Sequence, residues 1–240
     1  MIRASNLSKR FGDVVAVDGI GFDAPDGRVT GLLGPNGAGK TTTLRMISTL
    51  VVPTGGSASV DGFDVGSAPV EVRRRLGVLS DARGLYGRLT ARENIRYYGE
   101  LRGLAPETIA SQVERFSRVL DLGALLDRRT EGFSQGERMK VAIARSLVHD
   151  PQNILLDEPT NGLDVMTTRA LRDLIRELRE SGKCVVFSSH VMQEVTALCD
   201  EIVIVARGRV AAHGTPEAIR EASGKATLED AFVSLTGEGA

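Results

Sequence analysis

Four stretches of the chain are apolar without alternation: Val29-Thr30-Gly31-Leu32-Leu33, Ile154-Leu155-Leu156, Val185-Val186-Phe187 and Ile202-Val203-Ile204-Val205-Ala206. A strand with one face in water alternates apolar and polar residues. A run without that alternation predicts burial on both faces, as in a parallel sheet covered by helices. Leu171, Leu174, Ile175 and Leu178 recur at the spacing of one helical face, and Gly182 follows as a stop. Helical spacing also runs through Leu44, Ile47 and Val51, through Ile109 to Leu120, and through Arg138 to Val148. Roughly the first 25 residues alternate weakly, with turn signals at Phe11-Gly12-Asp13 and Asp26-Gly27, and predict antiparallel strands. Residues 89–150 hold helical patterns and no strand-like run, which predicts a helical insertion between sheet strands. Arg207-Gly208-Arg209 predicts a hairpin turn before Val210–His213. The class is α/β.

A length of 240 residues suits one large domain with subdomains. Lys+Arg 30 against Asp+Glu 31 leaves no excess of positive charge for coating nucleic acid, and no nucleic-acid partner is expected. The run Arg73-Arg74-Arg75 reads as a solvated face. No apolar run approaches the about 18 residues of a membrane-spanning helix, and the first residues lack a signal-peptide core. Cys184 and Cys199 have no metal-ligand spacing and suit a reducing compartment. The expectation is a soluble, cytosolic protein whose membrane role, if any, comes through a partner.

Gly34-Pro35-Asn36-Gly37-Ala38-Gly39-Lys40-Thr41 fits G-x-x-x-x-G-K-[ST] at every fixed position, between a predicted strand and a predicted helix. Glycines let backbone N–H groups curl around a phosphate, and the helix N-terminus aims its unpaired donors at the same anion. Lys40 is expected at the β- and γ-phosphates and the Thr41 hydroxyl on Mg²⁺. Asp157-Glu158 follows the run Ile154-Leu155-Leu156, at a strand end where ligands of open α/β sheets bind. Asp157 is expected to hold Mg²⁺, and Glu158 to orient or deprotonate the attacking water.

Gly34 through Thr42, then Phe133-Ser134-Gln135-Gly136-Glu137, Asp157-Glu158-Pro159-Thr160 with Gly162-Leu163-Asp164, and Ser189-His190 follow in one order. In that order the chain resembles the ATP-binding subunit of an ABC transporter. Gly84-Leu85-Tyr86 through Arg92-Glu93-Asn94 is similar to the branch of sodium-, drug- and antibiotic-efflux exporters. The resemblance implies a P-loop NTPase fold of ABC type, with a mainly parallel core sheet, an N-terminal antiparallel β subdomain and an inserted α-helical subdomain. Residues 1–78 and 151–220 would form the nucleotide-binding core, 79–150 the helical part and 221–240 a short extension. It also implies that Phe11 stacks on adenine, and that Ser134, Gln135 and Gly136 meet the ATP held by an opposite subunit. Asp164 would be the acid of the D-loop, and His190 the switch residue at the γ-phosphate, a role suited to a side chain that titrates near neutral pH. The implied partners are a second copy in a head-to-tail dimer and an integral-membrane permease, with the subunit peripheral on the inner face of the cell membrane. Phe133 and Gln135 depart from the usual Leu-Ser-Gly-Gly, and the Mg²⁺-contacting Gln position falls on Asp81, or Ser80 if the loop shifts by one.

Other readings compete. Gly132-Phe133-Ser134-Gln135-Gly136 also fits G-x-S-x-G, the nucleophile elbow of α/β-hydrolases, but the preceding Asp127-Arg128-Arg129-Thr130-Glu131 cannot be a buried strand. An ABC-type ATPase of translation or DNA repair, or a non-hydrolysing regulator, are further alternatives. Against them stand one set of motifs, no Cys cluster, and the presence of Glu158 and His190. All three tyrosines, Tyr86, Tyr97 and Tyr98, fall within thirteen positions, and Tyr86 is expected to face the permease.

Overall fold

The structure, a computed structural model, describes residues 1–80 and 84–237. It begins with a hairpin, β1 (Ile2–Phe11) and β2 (Val14–Ala24), followed by β3 (Val29–Leu33) and α1 (Lys40–Ile47). Next come β4 (Gly55–Val60), β5 (Phe63–Asp64), α2 (Pro69–Arg75) and β6 (Leu76–Leu79). Three helices form the insertion: α3 (Ala91–Leu101), α4 (Pro106–Val119) and α5 (Gln135–Leu147). The chain returns through β7 (Asn153–Asp157), α6 (Val165–Glu180), β8 (Cys184–Ser189), α7 (Met192–Leu198), β9 (Glu201–Ala206) and β10 (Arg209–Gly214). It ends with α8 (Pro216–Ser223) and α9 (Leu228–Thr236).

The larger sheet runs β10-β9-β3-β8-β7-β6, parallel except for the terminal β9–β10 hairpin. The unalternating runs have a direct cause. Leu33, Ile154, Leu156, Val185, Phe187, Ile202 and Ile204 enter one core, under the helical insertion and α6, α7 and α9. Leu32, Leu155, Val186, Val203 and Val205 enter a second, under the four-stranded sheet β2-β1-β4-β5 and helices α1 and α2. The leucines of β3 and β7 are at most 1% exposed, and each contributes about 1.5–3 kcal/mol by leaving water.

Local signals set the helix ends. α3 and α5 open with capping boxes, Thr90 with Glu93 and Ser134 with Glu137. Proline opens α2, α4 and α8, where a missing N–H costs nothing. Gly182, at φ 81°, follows α6 as expected, and the expected hairpin turn forms at Arg207-Gly208, both with positive φ, with Arg209 already in β10.

One expectation needs correction: α1 stops at Ile47, so Val51 lies beyond it. The antiparallel hairpin of the first 25 residues is joined by β4 and β5 in one sheet. β6, a four-residue edge strand, ends at Leu79. α8 runs across residue 220, and α9 buries Ala231 in the main core.

Candidate functional site

β3 delivers the chain into the Gly34–Gly39 loop at the C-terminal edge of the large sheet, and α1 leaves from Lys40. A Cβ at Gly34 would run into the Val205 carbonyl of β9, and Gly39 holds φ 107° with the Ala16 carbonyl of β2 against it. Both positions need glycine. No side chain caps α1, and no acid sits in its first turn, so its leading N–H groups face the loop concavity occupied by Pro35, Asn36, Gly37 and Ala38. Thr42 lies in that first turn. Lys40 is buried, and its Nζ donates to the carbonyls of Gly34 at 2.7 Å and Pro35 at 3.1 Å. It lies 3.3 Å from Glu158 Oε1.

Asp157 ends β7, buried, and its Oδ1 accepts from Thr41 Oγ1 at 3.1 Å and from Ser188 Oγ at 2.6 Å. Glu158, the first residue past β7, takes the left-handed backbone, φ 47°. Its N–H donates to the same Ser188 Oγ at 2.9 Å, while Oε2 lies 2.8 Å from His190 Nδ1. Lys40 at the start of α1, Ser188 in β8 and His190 just after β8 thus hold Glu158. The acid faces a cleft of about 140 Å³ lined by Thr41, Ser80, Met139, Asp157, Glu158 and Asn161, room for several waters. Asp81 lies outside the described residues.

The second half of the site is the meeting of α5 with α6. Ser134 caps α5, its Oγ accepting from Glu137 N–H at 3.2 Å. Phe133 is buried in the main core with the Arg128 guanidinium over its ring, so the departure from Leu is a larger core side chain. Gln135 is exposed, and its Nε2 donates to the Asn161 carbonyl at 2.7 Å. Gly136 packs on Asp164 and Thr167. Asp164 caps α6, accepting from Thr167 N–H at 2.9 Å and Oγ1 at 2.7 Å. Those bonds hold its carboxyl below the ordinary range. The hydrolase elbow is excluded, because Ser134 follows a turn and its hydroxyl serves its own helix.

Phe11 ends β1 half exposed, with Lys9 Nζ 5.1 Å from its ring centroid. The hairpin that carries it touches the phosphate loop further along, at Ala16 and Gly39. Sequence reasoning missed Ser188, which joins Asp157 to Glu158. It also missed the buried Glu194, which accepts hydroxyl bonds from Thr160 and, at 3.2 Å, from Ser189. A serine at a strand end and a glutamate in a short helix carry no signal of their own.

A phosphate loop, an acid pair at the adjacent strand end and a capped signature helix on an inserted subdomain define an ATP-binding cassette. The family model described as ABC transporter matches residues 17–161. The chain belongs to the ABC transporter family, as an ATP-binding subunit with ATPase activity. It is 44% identical to "ABC transporter ATP-binding protein NatA" of Bacillus subtilis (strain 168), covering 98% of this chain and 97% of that protein. It is 39% identical to "Daunorubicin/doxorubicin resistance ATP-binding protein DrrA" of Streptomyces peucetius, over 95% of this chain and 69% of that one. A solved ATP-binding subunit of an ABC transporter superposes with TM-score 0.91 at 29% identity, covering 98% of this chain and 99% of that one. A dimeric ATP-binding cassette in a post-hydrolysis state, bound to ADP and Pi, gives 0.82 at 25% identity, over 90% and 98%. Among the described residues, no helix is long and apolar enough to cross a membrane.

Proposed function

We propose that this subunit closes head-to-tail on a second copy around two ATP molecules and drives a separate membrane permease that exports ions, drugs or antibiotics. The observation that carries the chemistry is the pinning of Glu158 between Lys40 and His190 at the edge of the cleft. Glu158 orients the attacking water and takes its proton. His190, on the same carboxylate, fixes the direction of that base and follows the γ-phosphate. Lys40 sits on the Gly34 and Pro35 carbonyls, within one side-chain swing of a phosphate in the loop.

The donor set fits Mg²⁺, a hard ion that takes oxygen: the Thr41 hydroxyl and the Asp157 carboxylate are already 3.1 Å apart beside the cleft. Thr41 and Asp157 would hold it, with Asp81 or Ser80 as a further oxygen donor, and it would neutralise phosphate charge. Phe11 offers an open ring face to adenine. Ser134, Gly136 and Asp164 form the face turned to the second copy. Val165 and Met166, exposed beside Asp164, give that face apolar area to bury.

The permease is assigned to a groove of about 340 Å³ between the sheet and the insertion, lined by Leu50, Arg73, Tyr98, Arg102, Arg145 and His149 among others. Its described lining holds no carboxylate, which suits an acidic helix end of the partner. Docking there places the subunit on the cytoplasmic face of the membrane. Export of drugs or antibiotics is supported by the names of relatives such as DrrA and "Linearmycin resistance ATP-binding protein LnrL" of Bacillus subtilis (strain 168), the latter 37% identical over 90% of this chain and 69% of that protein. The test is Glu158→Gln, which keeps shape and removes the base. Turnover should fall by at least about 100-fold while ATP affinity holds and an ATP-bound dimer accumulates. Hydrolysis within about twofold of wild type would refute the assignment.

A further inference from the structure

Besides the Glu158 contacts with Lys40 and His190, four hydrogen bonds shape the segment from Glu158 to Asp164. Asn161 N–H closes its first turn on the Glu158 carbonyl at 3.2 Å. Ser188 of β8 accepts from Glu158 N–H, and Glu194 of α7 accepts from Thr160 Oγ1. Both of these tie the segment to the nucleotide-binding core. The fourth comes from the helical insertion: Gln135 Nε2, in the first turn of α5, donates to the Asn161 carbonyl at 2.7 Å. A carbonyl only accepts, so the amide nitrogen must face it. The Gln135 amide also occupies the space where a Cβ of Gly162 would stand, and Gly162 holds φ 70°. The glutamine and the glycine are fitted to each other.

We infer that Gln135 is a positioning residue that ties the signature helix to the turn carrying Glu158 in its own chain. When the Ser134 end of α5 moves against nucleotide on the second copy, the Asn161 carbonyl moves with it. The closed Asn161–Glu158 turn passes that movement to the base. Glycine, the family's usual residue here, has no side chain to make this bond, so the device belongs to sequences with glutamine at this position. It also differs from the sequence-based expectation, in which Gln135 touches ATP directly. The inference rests on Glu158 as the base and on the composite dimer proposed above.

Gln135→Met keeps length and removes the donor, and Gln135→Lys restores a donor of similar reach. Because Gln135 is exposed, neither variant should change the melting temperature. With the assembled transporter, Gln135→Met should lower kcat about five- to tenfold, the rate equivalent of about one hydrogen bond, with KM for ATP within about twofold. Gln135→Lys should recover most of that loss. Gly162→Ala adds backbone strain on any background, so its extra cost in the wild-type chain over that in the Gln135→Gly variant reads the fitted contact alone. A raised KM would put Gln135 on the nucleotide and overturn the proposal, as would a kcat within about twofold of wild type or no recovery with lysine. Glu158→Gln measured alongside separates the failures. If it is inactive while Gln135→Met is normal, only the tie is wrong; if it is active, the base assignment is wrong.

Discussion

His149 shows how one side chain can set a pH limit without taking part in catalysis. Its Nε2 lies 3.0 Å from the Leu76 carbonyl, which can only accept, so that nitrogen carries the ring proton. Burial pushes the ring pKa down to about 4; Arg102 and Lys183 act in the same direction, against the Leu76 bond and Asp150. The unfolded chain takes up a proton near pH 6.5 that the native ring refuses, so stability falls as pH drops from about 6.5 toward 4 and is unaffected above. The full loss is on the order of 3 kcal/mol. Carboxyls held low, such as Asp64 and Asp164, lose their contribution only at lower pH. His149→Gln keeps a donor toward Leu76 and does not titrate. Its melting temperature should change less with pH between about 6.5 and 4 than wild type, and parallel curves would rule the explanation out. At this scale the sequence identified Lys40, Thr41, Asp157, Glu158 and His190 as residue types in a recognisable order. It could not show that Ser188 bridges the acid pair, because that bond joins residues 31 apart.

The elements divide by how local their causes are. Helices α3, α5 and α6 announce themselves through caps and periodicity, and the strands β3, β7, β8 and β9 through double burial. β6 gives almost no signal: four residues, Leu76-Gly77-Val78-Leu79, directly after the arginine-rich α2, become a strand only because β7 lies alongside. The loop before α3 lies between these extremes. Asn94 grips the Tyr86 backbone, accepting from its N–H at 2.9 Å and donating to its carbonyl at 3.2 Å, and Thr130 donates to the same carbonyl at 3.0 Å. The ring is left half exposed, edge-on to Tyr97 at 5.5 Å, while Tyr98 turns inward under Arg145. A pinned backbone presenting an open aromatic ring beside the groove is what an interface anchor requires. Tyr86→Ala should weaken permease association by about 1–3 kcal/mol with ATP binding and melting temperature nearly unchanged. A large loss of stability in the isolated subunit would show that the ring serves the core instead.

At the scale of the molecule, the two halves of the site lie on different bodies of one chain, the phosphate loop on the core and the signature helix on the insertion. In the proposed head-to-tail pair, each half would meet its complement on the other copy. Ser134→Arg subunits and Lys40→Ala subunits should each be nearly inactive. Mixed in equal parts they should regain up to about a quarter of wild-type turnover, since half the dimers carry one intact site of two. No recovery, or turnover by a demonstrated monomer, would exclude the composite site. The sequence by itself determined the α/β class, the phosphate loop and the order of the motifs, because those depend on residues within a turn or two of one another. Only the tertiary structure decided which polar groups meet at Glu158, that Gln135 faces its own chain, and that residues after 220 complete the core. Each of these joins segments distant in sequence, and their pairing is fixed by how the two sheets and the inserted helices bury their apolar faces together.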